Sequence, residues 1–292
     1  MHFGQGVIPK KYLKYDAARA AILSVPYEGT VSYGKGTSKG PRKIIEASRY
    51  LEFFDEELGL LNYQAGLTTC PPLKPAATPQ KMVEAVRQSA RQLLSDEKFI
   101  IMLGGEHSIS YGLYLALRER VRDLSVLQID AHADLRTTFQ GSPFSHACVM
   151  RRIDESCPRT VQVGIRSFCA EEALFIRQKK KHLFMAKDIH GKTDWFDQAI
   201  RRLSRNVFLT IDIDGFDPSL VPHTGTPEPG GLFWYETLAF LKRLFEKRNV
   251  IAFDLVELAP TSFSAPSDFL AARLVYRLLG YKFKTLLSAG QK

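Results

Sequence analysis

The feature that most constrains this chain is an apolar segment that ends in three side chains of the kinds that bind metals. Residues 124–136 read LSVLQIDAHADLR. The mostly apolar first half, residues 124–129, predicts a strand buried on both faces, as in a parallel sheet. Asp130, His132 and Asp134 follow at every second position, and alternate residues of an extended chain point to the same side. We therefore expect them to converge at the carboxyl end of one strand, the edge where open α/β sheets bind ligands.

Two further segments repeat this pattern. Residues 206–214 read NVFLTIDID, an apolar run that ends in Asp212 and Asp214. Residues 99–107 read FIIMLGGEH, in which an apolar run and a Gly-Gly turn precede an acid and His107. One such end taken alone is most simply a solvated strand terminus. Three of them in one chain indicate a common site instead.

The rest of the chain alternates between strand-like and helical patterns. Strands are predicted at 20–26, from 99, and at 124–129, 160–164, 182–186, 208–212 and 250–256. Helices are predicted at 42–51, 80–95, 110–122, 146–153, 171–178, 195–204, 234–247 and 267–279. Strands that alternate with helices predict an α/β fold with a parallel sheet and helices on both faces. We expect a single domain over residues 1–292.

Composition narrows the class of protein. No apolar run reaches the about 18 residues of a membrane-spanning helix, so no membrane partner is expected. The N-terminal sequence has no apolar core like that of a signal peptide. The net charge of +9 comes from basic residues scattered over predicted helices, without a nucleic-acid-binding motif, so no nucleic-acid partner is expected. The four cysteines form no CxxC pair, which predicts reduced thiols in a cytoplasmic protein: Cys70, Cys148, Cys157 and Cys169.

The candidate ligands combine four carboxylates with two imidazoles: His107, Asp130, His132, Asp134, Asp212 and Asp214. Their formal charge of about −4 would be prohibitive without a partner, because close carboxylates cannot all stay ionised. Two divalent cations would neutralise it, and an oxygen-rich set with some imidazole suits Mn²⁺. We therefore expect two Mn²⁺ per chain, with a shared water acidified into a hydroxide at neutral pH.

Taken together, these motifs resemble the ureohydrolase superfamily, the arginases and agmatinases. The matching segments are GGEHS (104–108), DAHAD (130–134), FSHACVMRR (144–152) and DIDGFDP (212–218), within a span from PYEGTVSYGKGTSKGP (26–41) to FDLVELAP (253–260). The resemblance implies a three-layer α/β/α arginase-like fold with a parallel sheet of about eight strands. It also implies a homo-oligomer, a trimer or a hexamer, and a small-molecule guanidino substrate.

The resemblance assigns roles to individual residues. The six candidate ligands would hold the metals, and Asp134 would take the hydroxide's proton and pass it to the leaving amine. His146, in FSHA, resembles the family's proton shuttle. Glu257, in LVEL, resembles the carboxylate that pairs with the guanidinium, a directional and strong contact. Asp217 precedes a proline and is expected to form a turn, and Asp254 is expected to be structural.

The segments HACVMRR and GTPEPGGL resemble agmatinases more than arginases. The expected reaction is hydrolysis of agmatine to putrescine and urea, a step of polyamine biosynthesis. Other guanidino substrates remain open, namely guanidinobutyrate, arginine or guanidine, as do a catalytically silent oligomeric relative and a two-metal phosphoesterase. Residues 137–139 read TTF where many agmatinases carry acids, which leaves recognition of a cationic tail open. The motif GGEHS stands in place of the commoner GGDHS, which changes the reach of its acidic side chain. The role of His223 stays open.

Overall fold

The computed structural model describes residues 1–261 and 265–289. The strands are β1 Ala20–Val25, β2 Phe54–Asp55, β3 Leu60–Leu61, β4 Leu67–Thr69, β5 Phe99–Gly104, β6 Leu124–Ile129, β7 Thr160–Ile165, β8 His182–Met185, β9 Asn206–Asp212 and β10 Asn249–Val256. Eight of them form one sheet in the order β4-β1-β5-β10-β9-β6-β7-β8, and β2 and β3 form a separate antiparallel pair. Every pairing in the large sheet is parallel. The parallel sheet of eight strands is therefore confirmed.

The helices cover both faces of this sheet. They are α1 Gly40–Ala47, α2 Pro79–Ser95, α3 Ser110–Arg120, α4 Val149–Asp154, α5 Ala170–Gln178, α6 Ala186–Ile189, α7 Trp195–Arg201, α8 Trp234–Lys247 and α9 Ala265–Ala289. One apolar core lies under α1, α7, α8 and α9, and the other under α2, α3 and α4. Successive strand residues enter opposite cores, as Ile22 and Leu23 of β1 do. This arrangement explains why the central strands are apolar throughout rather than alternating.

Some local predictions were incomplete. The edge strand β4 and the pair β2–β3 are only two or three residues long, and the sequence offered no periodic pattern for them. The last helix was predicted to end at residue 279, but α9 continues to Ala289. The predicted helix over 146–153 begins as a 3-10 turn, His146–Cys148, before α4. Within the described residues, no helix is long and apolar enough to cross a membrane.

The sheet order brings four adjacent strands, β5, β10, β9 and β6, side by side at its centre. In parallel strands the carboxyl ends lie at the same edge. The last residue of β9 and the segments that follow these four strands carry all six candidate ligands together with Glu257. The fold therefore assembles the expected site from segments far apart in sequence.

Candidate metal centre and active-site cavity

The candidate ligands form two adjoining clusters. His107, Asp130 and Asp212 place ligand atoms within 4.8 Å of one another, and Asp130, His132 and Asp214 do the same. Nδ1 of His107 lies 3.2 Å from Oδ2 of Asp130 and 3.4 Å from Oδ2 of Asp212. Nδ1 of His132 lies 2.9 Å from Oδ2 of Asp214. Asp130 belongs to both clusters, so it would be available as a ligand to an ion in either one.

The ring of His107 is oriented by a buried hydroxyl behind it. Nε2 of His107 lies 2.8 Å from Oγ1 of Thr210, and the Thr210 hydroxyl donates to Oδ1 of Asp254 at 2.7 Å. Because the hydroxyl proton goes to the carboxylate, Thr210 accepts the Nε2 proton and leaves Nδ1 with a free lone pair. That buried Nδ1 has no hydrogen-bond partner among the described residues, although carboxylates surround it. These residues therefore fit a metal ion, and Asp254 has the structural role expected of it.

Polar side chains inside the sheet hold the carboxylate of Asp130, which both clusters share. Nε2 of Gln128 donates to Oδ2 of Asp130 at 2.6 Å, and the His132 amide donates to Oδ1 at 2.5 Å. Gln162 on the neighbouring strand donates to Oε1 of Gln128 and, at 2.7 Å, to the carbonyl of Ala133. Gln128 and Ser125 are the two polar residues of the otherwise apolar strand β6, and the contact of Gln128 positions Asp130.

Asp134 reaches the site by a different route from the one predicted. The extended chain ends at Ile129, and Asp134 has a left-handed backbone with φ 53°. The argument from strand alternation is therefore wrong beyond the strand end. The left-handed turn still brings Oδ2 of Asp134 to 3.1 Å from Nδ1 of His107, although Asp134 lies outside both 4.8 Å clusters. Left-handed non-glycine residues are costly and concentrate at functional sites.

The negative charges of the clustered aspartates exceed the positive charge that the neighbouring histidines could supply. Burial raises the pKa of Asp134 to about 7, and the neighbouring Asp130 adds to the shift. Burial likewise raises the pKa of Asp212 and of Asp214, reinforced by the carboxylates beside them. Burial alone would lower the pKa of His107, yet the surrounding aspartates raise it well above its usual range. Without a cation, some of these carboxylates must be protonated, because close carboxylates cannot all stay ionised. Bound divalent cations would relieve the same repulsion.

The clusters open into a cavity of about 420 Å³. Besides the ligands, its lining includes Tyr33, Arg136, Phe139, His146, Phe168, Glu172 and Glu257. The glycine-rich loop 28–40 meets the loop 215–231 at one wall, where the Gly34 amide donates to the Gly225 carbonyl at 3.0 Å. A Cβ at Gly34 would lie 2.7 Å from that carbonyl oxygen, so glycine is required for this close approach.

Glu257 is fixed in the wall of this cavity. It follows β10 with φ 64°, and its amide donates to the Gly105 carbonyl at 2.8 Å. Its Oε1 accepts the backbone N–H of His107 at 2.6 Å. Burial raises its pKa well above the usual value, and Glu106 adds to the shift. Glu257 forms no ion pair among the described residues, so a buried carboxylate faces the cavity without a cation.

The remaining predicted residues take distinct places. His146 lines the cavity, with the ring of Phe139 edge-on to it at 5.7 Å between ring centroids. Asp217 forms the expected turn, since its carboxylate accepts the amides of Ser219, Gly230 and Gly231. His223 turns away to α9, with Nδ1 3.1 Å from Oγ of Ser267, and is not among the described residues that line the cavity.

Sequence reasoning missed the residues that support the site. The guanidinium of Arg166 donates to the backbone carbonyls of Asp214, at 2.7 Å, and of Glu228, at 2.8 Å, and so holds the loop after β9. Thr30, Glu106 and Thr210 likewise act through contacts with residues distant in sequence. No periodic pattern marks such contacts. For Thr30 the unusually long glycine-rich loop was the one available signal.

Known proteins are similar to this chain in sequence and in fold. The sequence profile of the arginase family matches residues 18–280. An N(1)-aminopropylagmatine ureohydrolase of Synechocystis sp. is 43% identical over 287 residues, 94% of each chain. An agmatinase of Pyrococcus horikoshii is 34% identical over 269 residues, 89% of this chain and 90% of the relative. The crystal structure of agmatine ureohydrolase of Thermoplasma volcanium has a TM-score of 0.87 at 30% identity and covers 96% of this chain and 94% of its own. The chain therefore belongs to the arginase family, among the hydrolases that act on amidino and guanidino groups.

Proposed function

We propose that this chain is a binuclear manganese amidinohydrolase that releases urea from a linear guanidino compound with an amine tail. The observation that carries the proposal is the position of Glu257, a buried carboxylate without a cation partner in the same cavity as the two ligand clusters. A guanidinium presents parallel N–H donors that a carboxylate accepts as a pair. A two-metal phosphoesterase would instead need cations at this point.

The six ligands His107, Asp130, His132, Asp134, Asp212 and Asp214 would hold the two ions. Bound divalent cations would supply a nucleophile at neutral pH by lowering the pKa of a water. Glu257 would orient the guanidinium carbon toward that nucleophile, which converts a bimolecular encounter into a positioned one.

Asp134 and His146 would manage the protons. Both line the cavity, and Asp134 lies against the first cluster. Asp134 would accept the proton of the attacking water and deliver it to the amine that leaves when the carbon–nitrogen bond breaks. His146 belongs to neither ligand cluster, which suits exchange of protons with the cavity rather than coordination. General acid–base catalysis of this kind contributes about 10²–10⁴-fold.

The tail of the substrate would lie among aromatic rings and acids. Tyr33, Phe139 and Phe168 line the cavity, and each aromatic face attracts an ammonium by about 0.5–1 kcal/mol at exposed sites. Glu172 lines the same cavity, where its carboxylate accepts the amides of Leu135 and Cys169, and Oε1 of Glu228 lies 3.9 Å from Nε2 of His132. These groups favour a cationic tail over the carboxylate tails of guanidinobutyrate and arginine.

A carboxylate from another part of the chain lies near residues 137–139, the segment in which many agmatinases carry acids. Oε1 of Glu171, at the start of α5, accepts the hydroxyl of Thr137 at 2.8 Å. A carboxylate therefore lies beside the segment in which many agmatinases carry one. The guanidinium of Arg136, in contrast, lies 4.9 Å from the centroid of the Phe139 ring, and its Nε is 4.0 Å from Oε2 of Glu172. The positive charge of Arg136 is therefore partly compensated within the protein.

Two tails fit these features, that of agmatine, expected from the motifs, and the longer tail of N(1)-aminopropylagmatine. We favour the longer one, because the Synechocystis relative of that name is 43% identical over nearly the whole chain. Either product would be a polyamine or its precursor. The free state of all four cysteines supports action in the reducing cytoplasm. We also propose a homo-oligomer, which light scattering would test.

The experiment is a urea-release assay with Mn²⁺-loaded protein on N(1)-aminopropylagmatine, agmatine, guanidinobutyrate, arginine and guanidine. We expect the two amine-tailed compounds to have the highest kcat/KM, with the aminopropylated one first. A preference for arginine or guanidinobutyrate would overturn the substrate proposal. Phosphate release from a phosphoester panel, or no activity on any compound, would overturn the function itself.

A further inference from the structure

Thr30 lies between a buried acid and the cavity histidine. Its hydroxyl oxygen is 2.8 Å from Oε1 of Glu106, and it accepts the backbone N–H of His146 at 3.1 Å. The same oxygen lies 3.2 Å from Nδ1 of His146. We propose that Thr30, with its hydroxyl oriented by Glu106, is a positioning residue that holds His146 in the Nδ1–H tautomer. This inference rests on the proposed function, because it concerns the group assigned there to proton exchange.

The orientation of the hydroxyl follows from the surroundings of Glu106. This side chain has 0% exposure, and its Oε2 accepts two obligatory donors, the amides of Gly29 at 2.6 Å and Thr30 at 2.5 Å. The two hydroxyls of Thr30 and Ser108 face its other oxygen, Oε1. Four donors around one carboxylate make it an acceptor on every side. The single proton of the Thr30 hydroxyl therefore goes to Glu106.

The tautomer of His146 follows from that choice. A hydrogen bond to a carboxylate is roughly twice as strong as one between neutral groups, so the Thr30 proton is not available to the imidazole. The oxygen of Thr30, 3.2 Å from Nδ1, can then only accept from it, so Nδ1 carries the proton; Oγ of Ser145, 3.4 Å from the same nitrogen, can accept it as well. Nε2 keeps its lone pair, and the ring lines the cavity. Phe139, edge-on at an interplanar angle of 84°, packs against the ring and limits its rotation.

The imidazole ring of His146 is neutral at neutral pH, where the choice of tautomer determines which nitrogen can accept a proton. Burial lowers the pKa of His146 to about 4. A neutral imidazole has one donor and one acceptor nitrogen, and only the acceptor can take a proton. The contact network thus presents an acceptor to the cavity. The network also explains why a glutamate rather than an aspartate stands in GGEHS, because the longer side chain of Glu106 reaches the loop 28–40.

Three substitutions separate orientation from folding. Thr30→Val keeps the shape but removes the hydroxyl, and Thr30→Ser restores it. In Glu106→Gln, the amide oxygen must still face the amides of Gly29 and Thr30, which turns the NH₂ group toward the Thr30 oxygen. The Thr30 hydroxyl would then donate to Nδ1 and reverse the tautomer. Thr37→Val is the matched control, since Oγ1 of this buried threonine of the same loop has no hydrogen-bond partner within the described residues.

The direct test is ¹⁵N NMR of histidine-labelled protein loaded with diamagnetic Mg²⁺, with His146 assigned by comparison with His146→Gln. We expect Nδ1–H in the wild type, Thr30→Ser and Thr37→Val, a mixture in Thr30→Val, and Nε2–H in Glu106→Gln. Should Glu106→Gln fail to fold, Thr30→Val still decides. An Nε2–H signal in the wild type, or an unchanged signal in Thr30→Val, overturns the inference. This readout needs no turnover, so it is independent of the substrate.

The kinetic test uses a double-mutant cycle with urea release. Thr30→Val should lower kcat by at least about 10-fold, within the range for loss of acid–base catalysis, and shift the pH profile of kcat at unchanged Mn²⁺ content. In the His146→Ala background the same change should have no further effect. Equal effects in both backgrounds would make Thr30 merely structural. Absence of urea release from the wild type together with an Nδ1–H signal would overturn the proposed function and leave the tautomer assignment standing.

Discussion

The Nε2 atom of His107 lies 2.8 Å from Oγ1 of Thr210, and this contact selects the ring nitrogen that faces the carboxylates. Thr210 is fully buried in β9, and its hydroxyl donates a hydrogen bond to Asp254. The result is a histidine whose Nδ1 lone pair is directed at the first ligand cluster. Groups of this kind, one step behind a ligand, affect metal affinity without touching the metal.

Thr210→Val should therefore lower the affinity for Mn²⁺ by about 10- to 100-fold. The substitution keeps the volume of the side chain but removes both the acceptor for Nε2 and the donor to Asp254. Isothermal titration of metal-free protein with Mn²⁺ measures the change. Thr210→Ser, which retains the hydroxyl, is the control and should bind as the wild type does. Equal affinity in the valine variant would show that His107 is oriented by other contacts.

Asp130→Ala should lose more metal than Asp212→Ala. Asp130 belongs to both ligand clusters, whereas Asp212 belongs to one. Elemental analysis after Mn²⁺ loading should give about two ions per chain for the wild type, since a pair of metals is what such shared carboxylates hold. The same content in the two variants would argue against Asp130 as a ligand that both ions would share.

The sequence alone predicted the strand ends and the cluster of candidate ligands, because a buried parallel strand and a cluster of ligand-type side chains each leave a local pattern. Asp134 shows the limit of that pattern. Its position was expected from alternation, but a left-handed turn after the strand brings it to the site. Thr30 and Thr210 were not found, since their partners are Glu106, His146 and His107, which the fold alone brings near. The strand β4 was missed because three residues are too few for a periodic signal.

His146→Ala should lower kcat by about 10²–10⁴-fold and leave the metal content unchanged. The ring lines the cavity but is outside both ligand clusters, so coordination does not depend on it. Elemental analysis and urea release on the same preparation give the two numbers. Loss of metal in this variant would make His146 a ligand rather than a proton carrier.

Glu257→Gln should lower kcat/KM for guanidino substrates by about 2–5 kcal/mol in transition-state terms, because a buried charged pair loses one partner. The glutamine oxygen can still accept the His107 amide, so the backbone contact survives. The melting temperature should hold or rise, since a buried carboxylate without a cation is costly in the free protein. Near-normal kcat/KM would place Glu257 outside the reaction, and a collapsed melting temperature would make it a structural residue.

The most direct test of the binuclear amidinohydrolase is a titration of metal-free protein with Mn²⁺, in which bound metal and the rate of urea release from N(1)-aminopropylagmatine are followed together. The two adjoining clusters predict that the rate rises until about two ions are bound per chain and then stays constant. Urea release from the metal-free protein, a plateau at one ion, or full metal binding without urea release from any guanidino compound would contradict it.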